Sequence, residues 1–204
     1  MTDFEIRDDE HGIGKVLILK DEWTEDVASY MQSNDITALR LTDSFGFHGR
    51  DISFLSELKF LRSLELYCWD AKGVKVIETL PQLEVLGTQF KSSQKINLSN
   101  FSRLRVALIT WSKGLDSLLG LKSLEKLNVG NFPYRNLEPI SKMGKLKQLY
   151  LTSRKLETLK GIEHLVSLEL LDLNNCPFLS SLNGTKMCPR LSKIEIEACN
   201  RVSP

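Results

Sequence analysis

Apolar and polar residues alternate along this chain in a short phrase that returns every 20 to 25 residues. The phrase is Leu-x-x-Leu-x-Leu or a close variant, with copies beginning at Ile36, Leu61, Leu83, Leu104, Leu124, Leu146 and Leu168. Looser copies begin at Ile13 and Leu191. Within each copy the apolar positions have a period of two, which predicts a strand with one buried face. Beyond it they step by three, as in Leu156, Leu159, Ile162 and Leu165. That spacing predicts a short 3₁₀ or helical return. Strand and return at a fixed period make a solenoid, with parallel strands and each turn buried only against its neighbours.

The two ends break the pattern. Thr24 precedes Glu25, Asp26, Val27 and Met31 as a helix N-cap precedes an amphipathic helix. Residues 1–35 therefore read as one strand near 15–19 plus a capping helix, residues 36–190 as seven repeats, and 191–204 as a partial repeat. All of 1–204 is expected to form one domain. No cap is evident after Ile196, so the last strand is expected to leave an edge open to self-pairing or to a partner.

This pattern resembles the leucine-rich repeat family, specifically the 22-residue class of bacterial internalin-like proteins. The resemblance spans about Ile13 to Ile196. It implies an α/β fold: a right-handed solenoid with a curved parallel sheet on its concave face and short 3₁₀, helical or irregular returns on its convex face. It also implies protein binding through the concave face and no catalysis. One departure concerns position nine of the repeat, where the family places Asn or Cys to satisfy the turn after the strand. Here that position holds Ser44, Trp69, Lys91, Ser112, Phe132, Arg154, Cys176 and Cys199. Trp69 is expected in the core, and the turns need another way to satisfy their backbone groups. The repeats from Leu83 and Leu104 are short, with Thr88 and Ala107 at buried strand positions.

Composition narrows the partners. With 27 basic and 26 acidic residues the formal net charge is +1, which gives no general attraction to nucleic acid or an anionic membrane. The acidic N-terminus is unlike a secretory signal, and four unevenly spaced cysteines suit a reducing cytoplasm. Catalytic, cofactor and metal motifs are not found. His11, His48 and His164 lie in different repeats, and Gly114–Ser123 lacks the spacing of a phosphate loop. Cys176, Cys188 and Cys199 are too widely spaced for a structural zinc site.

The outward positions carry the candidate binding surface. Position two reads Arg62, Glu84, Arg105, Glu125, Lys147, Glu169, an alternation that neutralises itself between adjacent strands. Val85, Val106 and Leu108 form an apolar centre, with Tyr67 to one side and Phe90 and Trp111 at the strand ends. Phe90 and Trp111 either meet a partner or fill space left by the short repeats. Asp172, Asn174, Glu195 and Glu197, with Tyr150 nearby, form an acidic region that is either solvated or a dock for a basic partner. The expected function is non-enzymatic protein binding, in its narrowest form an immunity protein or inhibitor for a bacterial toxin or enzyme. The alternative is self-assembly as a homodimer through the C-terminal edge.

Overall fold

A computed structural model describes residues 2–91 and 94–202. The chain forms two compact units, Met1–Leu104 with Ser112–Leu115 and Arg105–Trp111 with Asp116–Pro204. The first holds β1 (Phe4–Asp8), β2 (Lys15–Leu19), α1 (Glu25–Ser33), β3 (Ala38–Thr42), β4 (Ser63–Tyr67) and β5 (Val85–Thr88). The second holds β6 (Val106–Thr110), β7 (Lys126–Gly130), β8 (Gln148–Thr152), β9 (Leu170–Asn174) and β10 (Lys193–Glu197).

Each of β3–β10 starts at the third position of its phrase, so the alternation alone located these strands. Within each unit they pair in parallel and in register: Leu39 with Leu64 and Leu86 in the first, Leu127 with Leu149 and Leu171 in the second. The returns are 3₁₀ turns, among them Ser53–Glu57, Val74–Thr79, Glu138–Ile140 and Ile162–His164. Leu64, Leu66, Leu127, Leu149, Leu171 and Leu173 are all buried. Each such side chain contributes about 1.5–3 kcal/mol of burial, offset by the entropy of ordering the coil.

The N-terminal segment holds more than expected. β1 pairs antiparallel with β2, Phe4 opposite Leu19 and Asp8 opposite Lys15, so the segment opens with a hairpin that the solenoid rule of parallel strands did not anticipate. α1 lies where the sequence placed it, but the Thr24 side chain makes no capping bond. Its hydroxyl pairs with that of Thr2 at 2.9 Å instead.

The missing position-nine ladder has a backbone explanation. Where alternation simply continues past positions four and six, position eight points inward: Cys68, Phe90 and Ser153 are buried, while Trp69, Lys91 and Arg154 after them are exposed. In three other repeats position eight adopts a left-handed backbone, at Asn131 (φ 58°), Asn175 (φ 52°) and Ala198 (φ 52°). That residue is skipped in the alternation, so position nine turns inward as Phe132, Cys176 and Cys199. Asn tolerates this conformation through its short polar side chain; Ala does so at a cost. Ser153 also supplies the turn chemistry: its hydroxyl donates to Phe132 O at 2.7 Å and accepts from Lys155 N and Leu156 N at 3.0 Å. Trp69 is thus 51% exposed rather than core, because Cys68 takes the inward place.

Candidate functional site

The sheet face opposite the leucines differs between the two units. In the first it is closed. Val16, Ile18, Ala38, Ser63 and Val85 are buried, as is the Glu65 carboxylate at the centre. Arg40 Nη2 donates to Glu65 Oε1 at 2.6 Å, and Tyr67 donates its hydroxyl to Oε2 at 2.8 Å. Burial and the Glu65 charge push the Tyr67 phenol above its ordinary pKa. On the next strand Gly87 faces Glu65, and a Cβ there would stand 2.5 Å from the Tyr67 hydroxyl. Glycine is what lets the Tyr67 ring lie across β5.

In the second unit the same face is open. One row of side chains crosses its five strands as Leu108, Asn128, Tyr150, Asp172 and Glu195, each half-buried or exposed. Beside it run Lys126, Gln148, Leu170 and Lys193 on one flank and Thr152, Asn174 and Glu197 on the other. Lys126 Nζ lies 5.5 Å from the centre of the Tyr150 ring. Asn174 Nδ2 donates to Glu197 Oε2, and Lys193 Nζ pairs with Glu195 Oε1, both at 2.7 Å. Burial, then the charges of Glu195 and Glu197, raise the Asp172 pKa above the ordinary carboxylate value. The carboxylates are therefore held together against their mutual repulsion.

The site residues read from sequence divide accordingly. Tyr150, Asp172, Asn174, Glu195, Glu197 and Leu108 meet on this open face. Val85 and Val106 are at most 4% exposed, so of the expected apolar centre only Leu108 reaches the surface, and Phe90 is 5% exposed. Phe90 fills the interior, as one of its two readings held. Trp111 is half-buried, its ring edge-on to Phe132 at 6.3 Å and to Tyr134 at 5.8 Å. Tyr67 belongs to the closed network of the first unit. The position-two row forms ion pairs at Arg62–Glu84 (2.7 Å) and Glu125–Lys147 (2.9 Å).

Sequence reasoning missed the rim of the first unit. A cleft of about 390 Å³ is lined by Asp43, His48, Arg50, Cys68 and Asp70, and one of about 210 Å³ by Thr42, Asp43, Tyr67, Trp69 and Gln89. The signal was available in Cys68: a small apolar residue at position eight frees position nine to face solvent. Cysteine, histidine and aspartate together invite a nucleophilic reading. However, burial and then Asp43 push the Cys68 thiol up to about 12, so it stays protonated at neutral pH and is a poor nucleophile. Among the described residues no group of three His, Cys, Asp or Glu is placed to hold a metal ion, and no helix is long and apolar enough to cross a membrane.

Among solved structures, internalin C2 from Listeria monocytogenes superposes with a TM-score of 0.59 at 21% identity, over 78% of this chain and 67% of that one. The fold is a leucine-rich repeat solenoid. A leucine-rich repeat protein from Leptospira interrogans matches less well, with a TM-score of 0.48 at 17% identity over 78% of this chain and 46% of that one. The sequence matches no protein-family model and no curated protein. The leucine-rich repeat assignment rests on the internalin C2 superposition together with the register of the strands.

Proposed function

We propose that this chain is a non-enzymatic protein-binding module whose partner docks on the outer face of β6–β10. The observation that carries the reading is the open row Leu108–Asn128–Tyr150–Asp172–Glu195, whose first four strands, β6–β9, have a buried apolar opposite face. Such a face is preorganised, so little ordering entropy is lost on binding. Five strands at about 4.8 Å and three rows make a patch of about 19 by 13 Å. That is roughly a third of the ~800 Å² per partner in a standard interface. An extended segment or loop of the partner fits it, with further contact at the Trp111 and Tyr134 rim.

Tyr150 is the anchor of this reading, being a large aromatic at the centre of the patch. Asp172, Glu195 and Glu197 favour a basic partner segment and speed its encounter. A narrower form is an immunity or inhibitor protein whose target is a bacterial toxin or enzyme with a basic active-site rim. Residence in the cytoplasm belongs to the same reading, supported by four free, buried cysteines. The test is co-purification from the native host, and co-expression with neighbouring genes, using wild type and Tyr150→Ala. Loss of a stoichiometric partner with an unchanged melting temperature supports the reading; a partner retained by Tyr150→Ala and Leu108→Asp alike removes this face from it.

A further inference from the structure

Eight large apolar side chains are exposed among the described residues, and four of them, Phe178, Met187, Ile194 and Ile196, lie on the last coil of the second unit. Ile194 and Ile196 occupy phrase positions four and six. Their equivalents Leu171 and Leu173 on β9 are fully buried, yet these two are 41% and 40% exposed. An apolar layer is therefore laid down on β10 with nothing among the described residues to cover it.

The backbone of β10 is open along the same side. Lys193 N donates to Glu169 O, and Asn175 N donates to Glu197 O, so the odd-numbered residues of β10 face β9. Alternate residues of a parallel strand bond in opposite directions, which turns the N–H and C=O groups of Ile194 and Ile196 outward. Unpaired edge groups beside exposed isoleucines form a template for another strand.

We propose that a second copy of this chain covers this end, β10 pairing antiparallel with β10 about a two-fold axis at Ile194. A two-fold interface between identical strands is self-complementary and necessarily antiparallel. Outward-facing residues must meet outward-facing residues, which restricts the register. Centring on Ile194 sets Ile194 against its copy and Lys193 opposite Glu195 of the second copy, twice. Centring on Glu195 instead sets Lys193 opposite Glu197 twice but also two glutamates directly opposite each other, which is repulsive. That one repulsive contact favours the register centred on Ile194. This dimer rests on the β10 edge and, of the open-face residues, on Lys193 and Glu195 alone, so Tyr150→Ala, which leaves both in place, separates it from the proposed partner site.

Sedimentation velocity across a concentration series tests it. Wild type and Tyr150→Ala are expected to show the dimer mass at high concentration, and Ile194→Lys only the monomer. Glu195→Lys is expected to weaken the dimer about tenfold, and Lys193→Glu with Glu195→Lys to restore it. Circular dichroism confirms that each variant is folded. A wild type that stays monomeric throughout, an Ile194→Lys variant that still dimerises, or a double charge swap that fails to rescue would each overturn the proposal.

Discussion

Two Arg–Glu pairs of nearly equal length bridge adjacent strands of the first unit, and they are expected to differ severalfold in their contribution to stability. Arg40–Glu65 spans 2.6 Å with side chains 15% and 3% exposed; Arg62–Glu84 spans 2.7 Å with side chains 45% and 17% exposed. Glu65→Ala leaves the Arg40 guanidinium without its carboxylate, its Nε being buried and unbonded already, and takes the acceptor from the Tyr67 hydroxyl. Breaking a buried pair costs about 3–5 kcal/mol, with about 1 kcal/mol more for the orphaned phenol. Arg62→Ala loses an exposed pair worth about 0.2–1 kcal/mol. At roughly 2–4 °C per kcal/mol for a chain of this size, Glu65→Ala should melt about 10 °C lower and Arg62→Ala within about 3 °C of wild type. Urea denaturation followed by circular dichroism gives both free energies directly. Equal losses in the two variants would refute the argument that burial, not geometry, sets the difference.

Gly161 has φ 103°, and a Cβ there would lie 2.6 Å from Glu138 N, a backbone atom that cannot give way. Gly161→Ala should therefore destabilise by more than about 2 kcal/mol in the same denaturation assay. Ala198 holds φ 52° without the side chain that eases it, so Ala198→Gly should stabilise by about 0.5–1 kcal/mol after the entropy cost of glycine. The Asp172 carboxyl is raised by burial, Glu195 and Glu197, so the native state binds its proton more tightly than the unfolded chain. The resulting penalty is absent below the unfolded pKa near 3.9 and fully present above the folded pKa. Asp172→Asn should therefore raise Tm at pH 7 and leave it nearly unchanged at pH 3.5, as read by scanning calorimetry.

The strands were legible because one leucine phrase carries both their position and their buried face. β3–β10 start where it places them. β1 was not, since Glu5, Arg7 and Asp8 make Phe4–Asp8 look like a charged tail, and its pairing with the expected strand at 15–19 emerges only when the hairpin folds. On the outward face, alternation says which way a side chain points but not what lies over it. Val85 and Val106 point as expected and are nevertheless buried, whereas Gln148 and Leu170, on the same register as Val106, are not. Trp69 was misplaced for a different reason. A fixed position-nine rule presumes a left-handed residue before it, and only Asn131, Asn175 and Ala198 provide one.

The left-handed residue at position eight also separates two things that a repeat must keep apart. Inserting or deleting one residue at that turn exchanges which side chain enters the interior and which is shown at the rim. The leucine columns upstream are not displaced, because the change falls after position six. The stack can therefore accept repeats from 20 to 25 residues long and still stay in register. Its rim exposes a tryptophan in one coil and buries a phenylalanine in another of the same 22-residue length, because only the second has a left-handed residue before it. In this chain the chemistry of the rim can be changed at that turn without disturbing the leucine core.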